Sequence, residues 1–572
     1  MMSRGTPFTS AFHALLFAAC LIANHAHSRA DDQPATKKSE GQPENRAAEI
    51  KILVSKETTH VLGPVDQEGC VDYHAALSRL AGQGVTTENN AAIPFVQAFG
   101  APELKGGYRE RVFQLLGIKA LPERGDYFKE LRQLSEREQA DFDRAQIEPW
   151  QARDFPLFNE WLNANARPLA LVVAGTRRQR YYIPWAMQPA TPLMFALLPT
   201  EQASRNWARA LVLRAMLRLS EGDIAGAEDD LIACHRLGRL IGMSPCLIGA
   251  LVSVAIETLA FHGDAALMEH GKLNAGDALA YQARLRTLPP LPVIADVFDR
   301  YERLSYLDAL KVIIRDRQYQ PDAVAVLLQA SDSRMISDRL SAYWNEVLRV
   351  GNETYDKWVA AARLPTTDRQ KAFDALGEQM KRDAAEVIGK DLFDKFMAAE
   401  GPEQMKMIAE KFRGMVLQFA SEPTKAGTLP GSIFKTSTPG ECGRQMGKVL
   451  VCLLLPAINA SCAAEDRARA RETLEQVGFA LVAYRADRGS FPARLKALVP
   501  KYIASVPADP CTSEPLRYEW RVDRFLLFSR GTNGVDEDGR SFDSKRPGDD
   551  IGLQIPRKAQ IEPLRPRQNA ER

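Results

Sequence analysis

The chain has 572 residues, 45% of them hydrophobic and 26% charged, and its 74 basic and 72 acidic side chains leave a net charge of +2. That is ordinary globular composition, and the length allows two to four domains of roughly 150 residues each. A near-neutral balance without a basic stripe argues against a nucleic-acid-binding protein.

Arg4 precedes the apolar stretch AFHALLFAACLIANHA, which is followed by Ser28, Ala30 and then Asp31-Asp32. This reads as a secretory signal peptide over 1–30, cleaved near Ala30. It is shorter than the roughly 20 apolar residues of a membrane anchor. Cys20 sits as in a lipoprotein site, but Phe17 and the continuing apolar run argue against acylation there. Residues 31–48 are polar and aperiodic, a disordered spacer. The expected location is periplasmic or secreted, with no transmembrane segment in the mature chain.

From EIKILV (49–54), a short predicted strand, the periodicity becomes helical through VDYHAALSRL, RERVFQLLGI, FKELRQL and FPLFNEWL. These predict a mainly helical N-terminal domain over 49–200. RRQRYYIPW (177–185) interleaves basic and aromatic residues as single-strand binders do. One such stretch is more simply a loop whose aromatics pack on the domain.

A helical domain over 201–420 follows. Within Asn206 to Gly242 two amphipathic helices meet at Gly222-Asp223, with Leu211, Ala215, Ala227 and Leu231 at the offsets of one tetratricopeptide repeat. Arg214 and Arg239 stand where that repeat prefers Leu and Pro, and no second copy follows, so a single repeat-like hairpin is expected. LIGALVSVAIETLAFHGDAALM predicts a core helix broken near Gly263. Charge alternation with apolar residues at three- and four-residue steps then predicts exposed packed helices to about Phe419.

The Pro/Gly/Ser/Thr-rich stretch 421–443 reads as a linker. Beyond it, a long helix is predicted to kink at Pro456 and end near Gly489, with Leu474, Val477, Leu481 and Tyr484 on one face. A short helix, two strands (PLRYEW and DRFLLFSR) and an acidic loop complete a module over 444–555, before a disordered tail over 556–572. The fold class is mainly α and multidomain, with a C-terminal α+β module of long helix and small antiparallel sheet.

In their order, YRADRGSFP, LKALVPKYIASVPADP, LRYEW, FLLFSRGTNG and DDI resemble the periplasmic domain of the type II secretion major pseudopilin. The departure is at the assembly end: VLVCLLLPAINA is internal, about a dozen residues long, and lacks the glutamate of a prepilin processing site. The whole chain is similar to a group of uncharacterised secreted bacterial proteins with a pilin-type tail. The pseudopilin resemblance implies a calcium site in the acidic loop, with Asn533, Asp536, Asp538, Asp549 and Asp550 as ligands by position. Calcium takes six to eight oxygens, and the loop supplies carboxylates and carbonyls. The plain alternative is a solvated acidic turn offset by Arg540, Lys545 and Arg546.

Seven cysteines follow the signal, an odd number without zinc spacing. Cys452 and Cys462, about 15 Å apart along one helix, cannot pair. Catalytic motifs of the metalloprotease, nucleophile-elbow, P-loop and dinucleotide types are missing from the sequence. His235, His262 and His270 stand near Glu257, Asp264 and Glu269 in sequence, a set open to a metal or acid–base site or to single core and surface histidines. The sequence thus favours a non-catalytic protein with structural or interaction duties toward an unknown protein partner. The alternatives are a secreted hydrolase with an unrecognised site and a component of a type II secretion or pilus-like assembly.

Overall fold

The computed structural model describes residues 50–100, 107–185, 192–195, 199–315, 333–398, 438–455, 458–521, 523–541, 544 and 546–557. The signal stretch, the spacer 31–48, residues 421–437 of the linker and most of the tail lie outside them, as do Pro456, Asp543 and Lys545. The described chain is mainly helical with one small antiparallel sheet.

The first helices are α1 (Tyr73–Ala81), α2 (Ala92–Phe99), α3 (Gly107–Leu116), α4 (Glu136–Ala145), α5 (Pro156–Ala164) and α6 (Ala166–Thr176). Local chemistry sets their starts. Asp72 accepts from the Ala75 N–H, and Ser135 with Glu138 forms a capping box. Two stretches expected to be regular are not. Residues 51–54 are extended, but their backbone bonds to Ser341 and Asn345 on a helix, not to a strand. FKELRQL is irregular because the side chains of Asn165 and Trp161 take the backbone groups of Lys129.

The middle is built on α7 (Pro199–Glu221), α8 (Ile224–Ile241), α9 (Leu247–His270) and α10 (Ala275–Arg286). α7 and α8 form the repeat-like hairpin, capped by Asp223, with Ala215 and Ala227 fully buried between them. Arg214 departs from the repeat because it makes two hydrogen bonds to the buried Asp230 carboxylate, at 2.8 and 2.6 Å. α9 runs unbroken through Gly263, contrary to the break read from the sequence. That glycine serves close approach: a Cβ there would stand 2.3 Å from Leu231 Cδ2 of α8. By length and hydropathy alone α9 is long and apolar enough to cross a membrane, and here it packs largely inside the protein.

Next come α11 (Ile294–Val297), a π-helical turn (Phe298–Glu302), α12 (Arg303–Arg315), α13 (Ser333–Ala362), α14 (Thr366–Ile388), α15 (Lys390–Met397), α16 (Pro439–Leu454) and α17 (Ile458–Arg488). α16 begins inside the stretch read as linker. It lies along α13, where Gly443 and Gly447 face the backbone of Tyr343 and the side chain of Val350 too closely for any Cβ. α17 ends where Gly489 N–H bonds back to Arg485.

After α17, β1 (Arg517–Trp520), β2 (Phe525–Ser529) and β3 (Ile551–Ile555) form an antiparallel sheet in the order β1-β2-β3, with Tyr518 opposite Leu527 and Leu527 opposite Leu553. β3 lies in the stretch that the sequence alone reads as the end of the acidic loop, and it is a strand through its pairing with β2. The module shares its core with the helical body: Leu474, Val477 and Leu481 pack in one apolar cluster with residues of α2, α7, α8, α9 and the sheet. A second cluster joins α12, α13, α14 and α16.

Candidate functional site

Three pairs of side chains converge where α8, α9, α10 and α17 meet. His235 and Arg239 are four residues apart on α8, Glu257 and Asp264 seven apart on α9, and Glu472 and Glu475 three apart on α17, so each pair lies on one helix face. His235 Nδ1 is 2.9 Å from Glu257 Oε2, and Nε2 is 3.3 Å from Asp264 Oδ2. Arg239 donates to both Glu257 oxygens, at 2.9 and 3.2 Å, and to Glu472 at 3.1 Å. Its remaining terminal nitrogen reaches the Pro289 carbonyl at 3.1 Å. Tyr281 of α10 donates its hydroxyl to Asp264 Oδ1 at 2.6 Å. His235, Asp264 and Glu475 each present one ligand atom, all within 4.8 Å of one another.

All of these except Glu472 are buried. Burial alone disfavours charge on His235, but Glu257, Glu475 and Asp264 outweigh it and hold the imidazolium form well above its usual range. Burial likewise opposes ionisation of Glu257, yet Arg239 and His235 keep its carboxyl low. Glu475 goes the other way: burial first, then Asp264 and Glu257, push it well above the carboxylate range despite His235. Arg239 and His235 thus face three enclosed carboxylates, and Glu475 is the one whose charge lacks compensation. An enclosed arrangement of this kind can tie elements together or hold a cation. It offers a substrate no approach.

The acidic loop is built differently. Asp549 Oδ2 accepts from Thr532 N, Thr532 Oγ1 and Asn533 N at 2.6 to 2.9 Å. Asp550 Oδ2 accepts from Glu537 N and Gly539 N at 2.9 and 2.8 Å, while its Oδ1 is buried without a partner. Burial raises the Asp550 carboxyl to about 6 against those two N–H groups. Asn533 Oδ1 accepts from Val535 N, Asp536 Oδ1 from Asp538 N, and Asp536 Oδ2 pairs with Arg517. Among the described residues no three of these carboxylates converge to metal-ligand spacing. Asn533 and Asp536 have their oxygens occupied by protein donors. Asp549 Oδ2 and Asp550 Oδ2 are likewise met by protein donors, and Asp550 Oδ1 is the loop carboxylate oxygen found buried without a partner among the described residues.

Of the histidines near one another in sequence, only His235 joins Glu257 and Asp264. His262 is exposed on α9 and joins neither carboxylate, and its close surroundings with the Arg471 and Arg557 guanidinium groups lower its pKa. His270 is partly exposed beside Glu269 at 3.8 Å. The basic–aromatic stretch packs as a loop: Tyr181 sits 6.1 Å from Phe95 and Trp185 5.4 Å from Tyr301, ring to ring. Arg180 and Tyr181 border a cleft of about 630 Å³, with Ser244, Asp296 and Arg300 on its other walls. Behind it, buried Glu201 accepts from Ser244 at 3.0 Å, and burial raises its carboxyl. Asp296 pairs with Arg363, and no ion pair joins Arg180 or Arg300 among the described residues, so the cleft is net positive.

Sequence reasoning missed Glu472, Glu475 and Tyr281, and saw Arg239 only as a departure from a repeat. The available signal was Glu475 itself, a carboxylate set beside Leu474 and Val477 on a face bound for the core. None of the seven described cysteines forms a disulfide, and six of them are buried. No family model, no curated protein and no solved structure matches the chain.

Proposed function

We propose that the chain is a non-catalytic, extracytoplasmic interaction protein in which a pseudopilin-like module, ordered by calcium at Asp549 and Asp550, is carried on a helical body. The observation that carries the calcium-ordered head is the buried, unpartnered Oδ1 of Asp550 beside Asp549, at the end of an acidic loop that leads into β3. An orphaned carboxylate oxygen in a buried place is costly without a cation or a proton. The net-positive cleft supports the binding reading, since two guanidinium groups free of ion pairs suit an acidic group on a protein or peptide partner.

The test is a thermal melt of the protein with millimolar calcium and with chelator, beside an Asp549→Ala/Asp550→Ala variant. Calcium raises the wild-type midpoint by several degrees, and the variant does not respond. An equal response in both proteins, or none in the wild type, overturns calcium at this loop.

A further inference from the structure

We propose that His235, Asp264 and Glu475 form a site for a divalent transition-metal ion of the zinc class, bolting α17 to α8 and α9. The site differs from the acidic loop in every residue and does not depend on it.

The donor geometry suits such an ion. Zinc holds nitrogen and carboxylate donors at about 2.0–2.2 Å, so two donors at the tetrahedral angle stand roughly 3.4 Å apart. His235 Nε2 and Asp264 Oδ2 are 3.3 Å apart, and the Glu475 oxygen falls within 4.8 Å of both. One imidazole with two carboxylates is a donor set for zinc or manganese more than for calcium.

The surrounding residues supply the independent observation. A ligating histidine characteristically gives its other ring N–H to a carboxylate, which fixes the ring and raises its basicity. Here Glu257 takes Nδ1 at 2.9 Å, so Nε2 is the nitrogen turned to the site, and Arg239 clamps Glu257 from behind with two hydrogen bonds. Tyr281 occupies Asp264 Oδ1 and leaves Oδ2 on the side of the imidazole. Each first ligand from α8 and α9 is thus oriented by a neighbour that does not itself enter the site.

The experiment loads the purified full chain with Zn²⁺, removes loose metal over chelating resin and counts zinc per chain by mass spectrometry. X-ray absorption at the zinc edge then reads the donors directly. The wild type retains about one zinc with one imidazole and oxygen donors only. Glu475→Gln keeps the size and shape of the side chain, so the variant folds like the metal-free wild type but binds zinc at least tenfold more weakly. Tyr281→Phe weakens zinc about tenfold, and Asp549→Ala/Asp550→Ala leaves it unchanged. Substoichiometric zinc in the wild type, sulfur donors at the edge, or equal retention in Glu475→Gln overturns the site. The absorption spectrum decides the matter on wild-type protein even where a variant does not fold.

Discussion

Replacing Glu302 by Gln gives a sharp test of how burial and hydrogen bonding divide in this fold. Glu302 ends the π-helical turn and accepts from the Leu247 N–H, the first of α9, at 3.3 Å. Burial lifts its carboxyl to about 7 from an ordinary 4.5, against that one backbone bond. The unfolded chain then releases its proton near 4.5 and the folded chain near 7. Between those values the folded state holds the extra proton, so stability falls as pH rises, by about 1.4 kcal/mol per pH unit. The full loss above pH 7 is about 3 kcal/mol, an upper bound because the side chain is half-buried. The α9 dipole works in the opposite sense by up to about 1 kcal/mol. Burial still wins, leaving roughly 2–3 kcal/mol. Glutamine keeps an oxygen for the Leu247 N–H and does not titrate. Urea unfolding at pH 4.5, 6 and 8 therefore shows Glu302→Gln near wild type at the lowest pH and about 2–3 kcal/mol more stable at the highest. An advantage that does not grow between pH 5 and 7.5 refutes the burial argument.

Two further variants probe the helical body, beside the calcium and zinc tests above. Gly263→Ala gains about 1 kcal/mol of helix propensity but drives a methyl into Leu231, an overpacking cost of about 1–3 kcal/mol. Chemical denaturation gives a net loss that shrinks in a Leu231→Ala background; a variant more stable than wild type would sink the close-approach account. Arg214→Leu restores the residue the repeat prefers, yet leaves Asp230 with Arg218 as its remaining partner, at 2.8 Å. Breaking a buried pair in this way costs about 3 kcal/mol, and Arg214→Leu/Asp230→Leu recovers most of it. Additive losses in that cycle would contradict the pairing.

How much of this was legible in the sequence depended on the range over which each signal acts. α1 and the α7–α8 hairpin were legible through helical periodicity and the Gly222-Asp223 turn, and the structure adds that Asp72 and Asp223 cap them by satisfying N–H groups three residues away. FKELRQL carried helical periodicity and is irregular all the same, since Asn165 and Trp161, more than 30 residues on, compete for its backbone. β3 stayed hidden in an acidic loop because its identity as a strand comes from pairing with β2. α16 was obscured by composition. Gly443 closes the stretch read as linker and Gly447 follows it, and their spacing of four becomes meaningful only against α13.

The buried cluster shows the same limit in its sharpest form. Arg239 reads as a departure from a repeat, Glu257 and Asp264 as acids near three histidines in sequence, and Glu475 carries no reading at all. Each is unfavourable alone, because enclosing a charge costs several kcal/mol unless partners meet it. Arg239 and Glu472 are 233 residues apart in sequence and 3.1 Å apart in space. Their pairing, with Glu475 beside Asp264 and His235, makes the attachment of α17 to the body specific in a way an apolar stripe alone cannot, since a slipped or rotated α17 would leave enclosed charges unmet. The residues that most weakened the sequence reading of the middle helices are therefore the ones that fix where the C-terminal module sits.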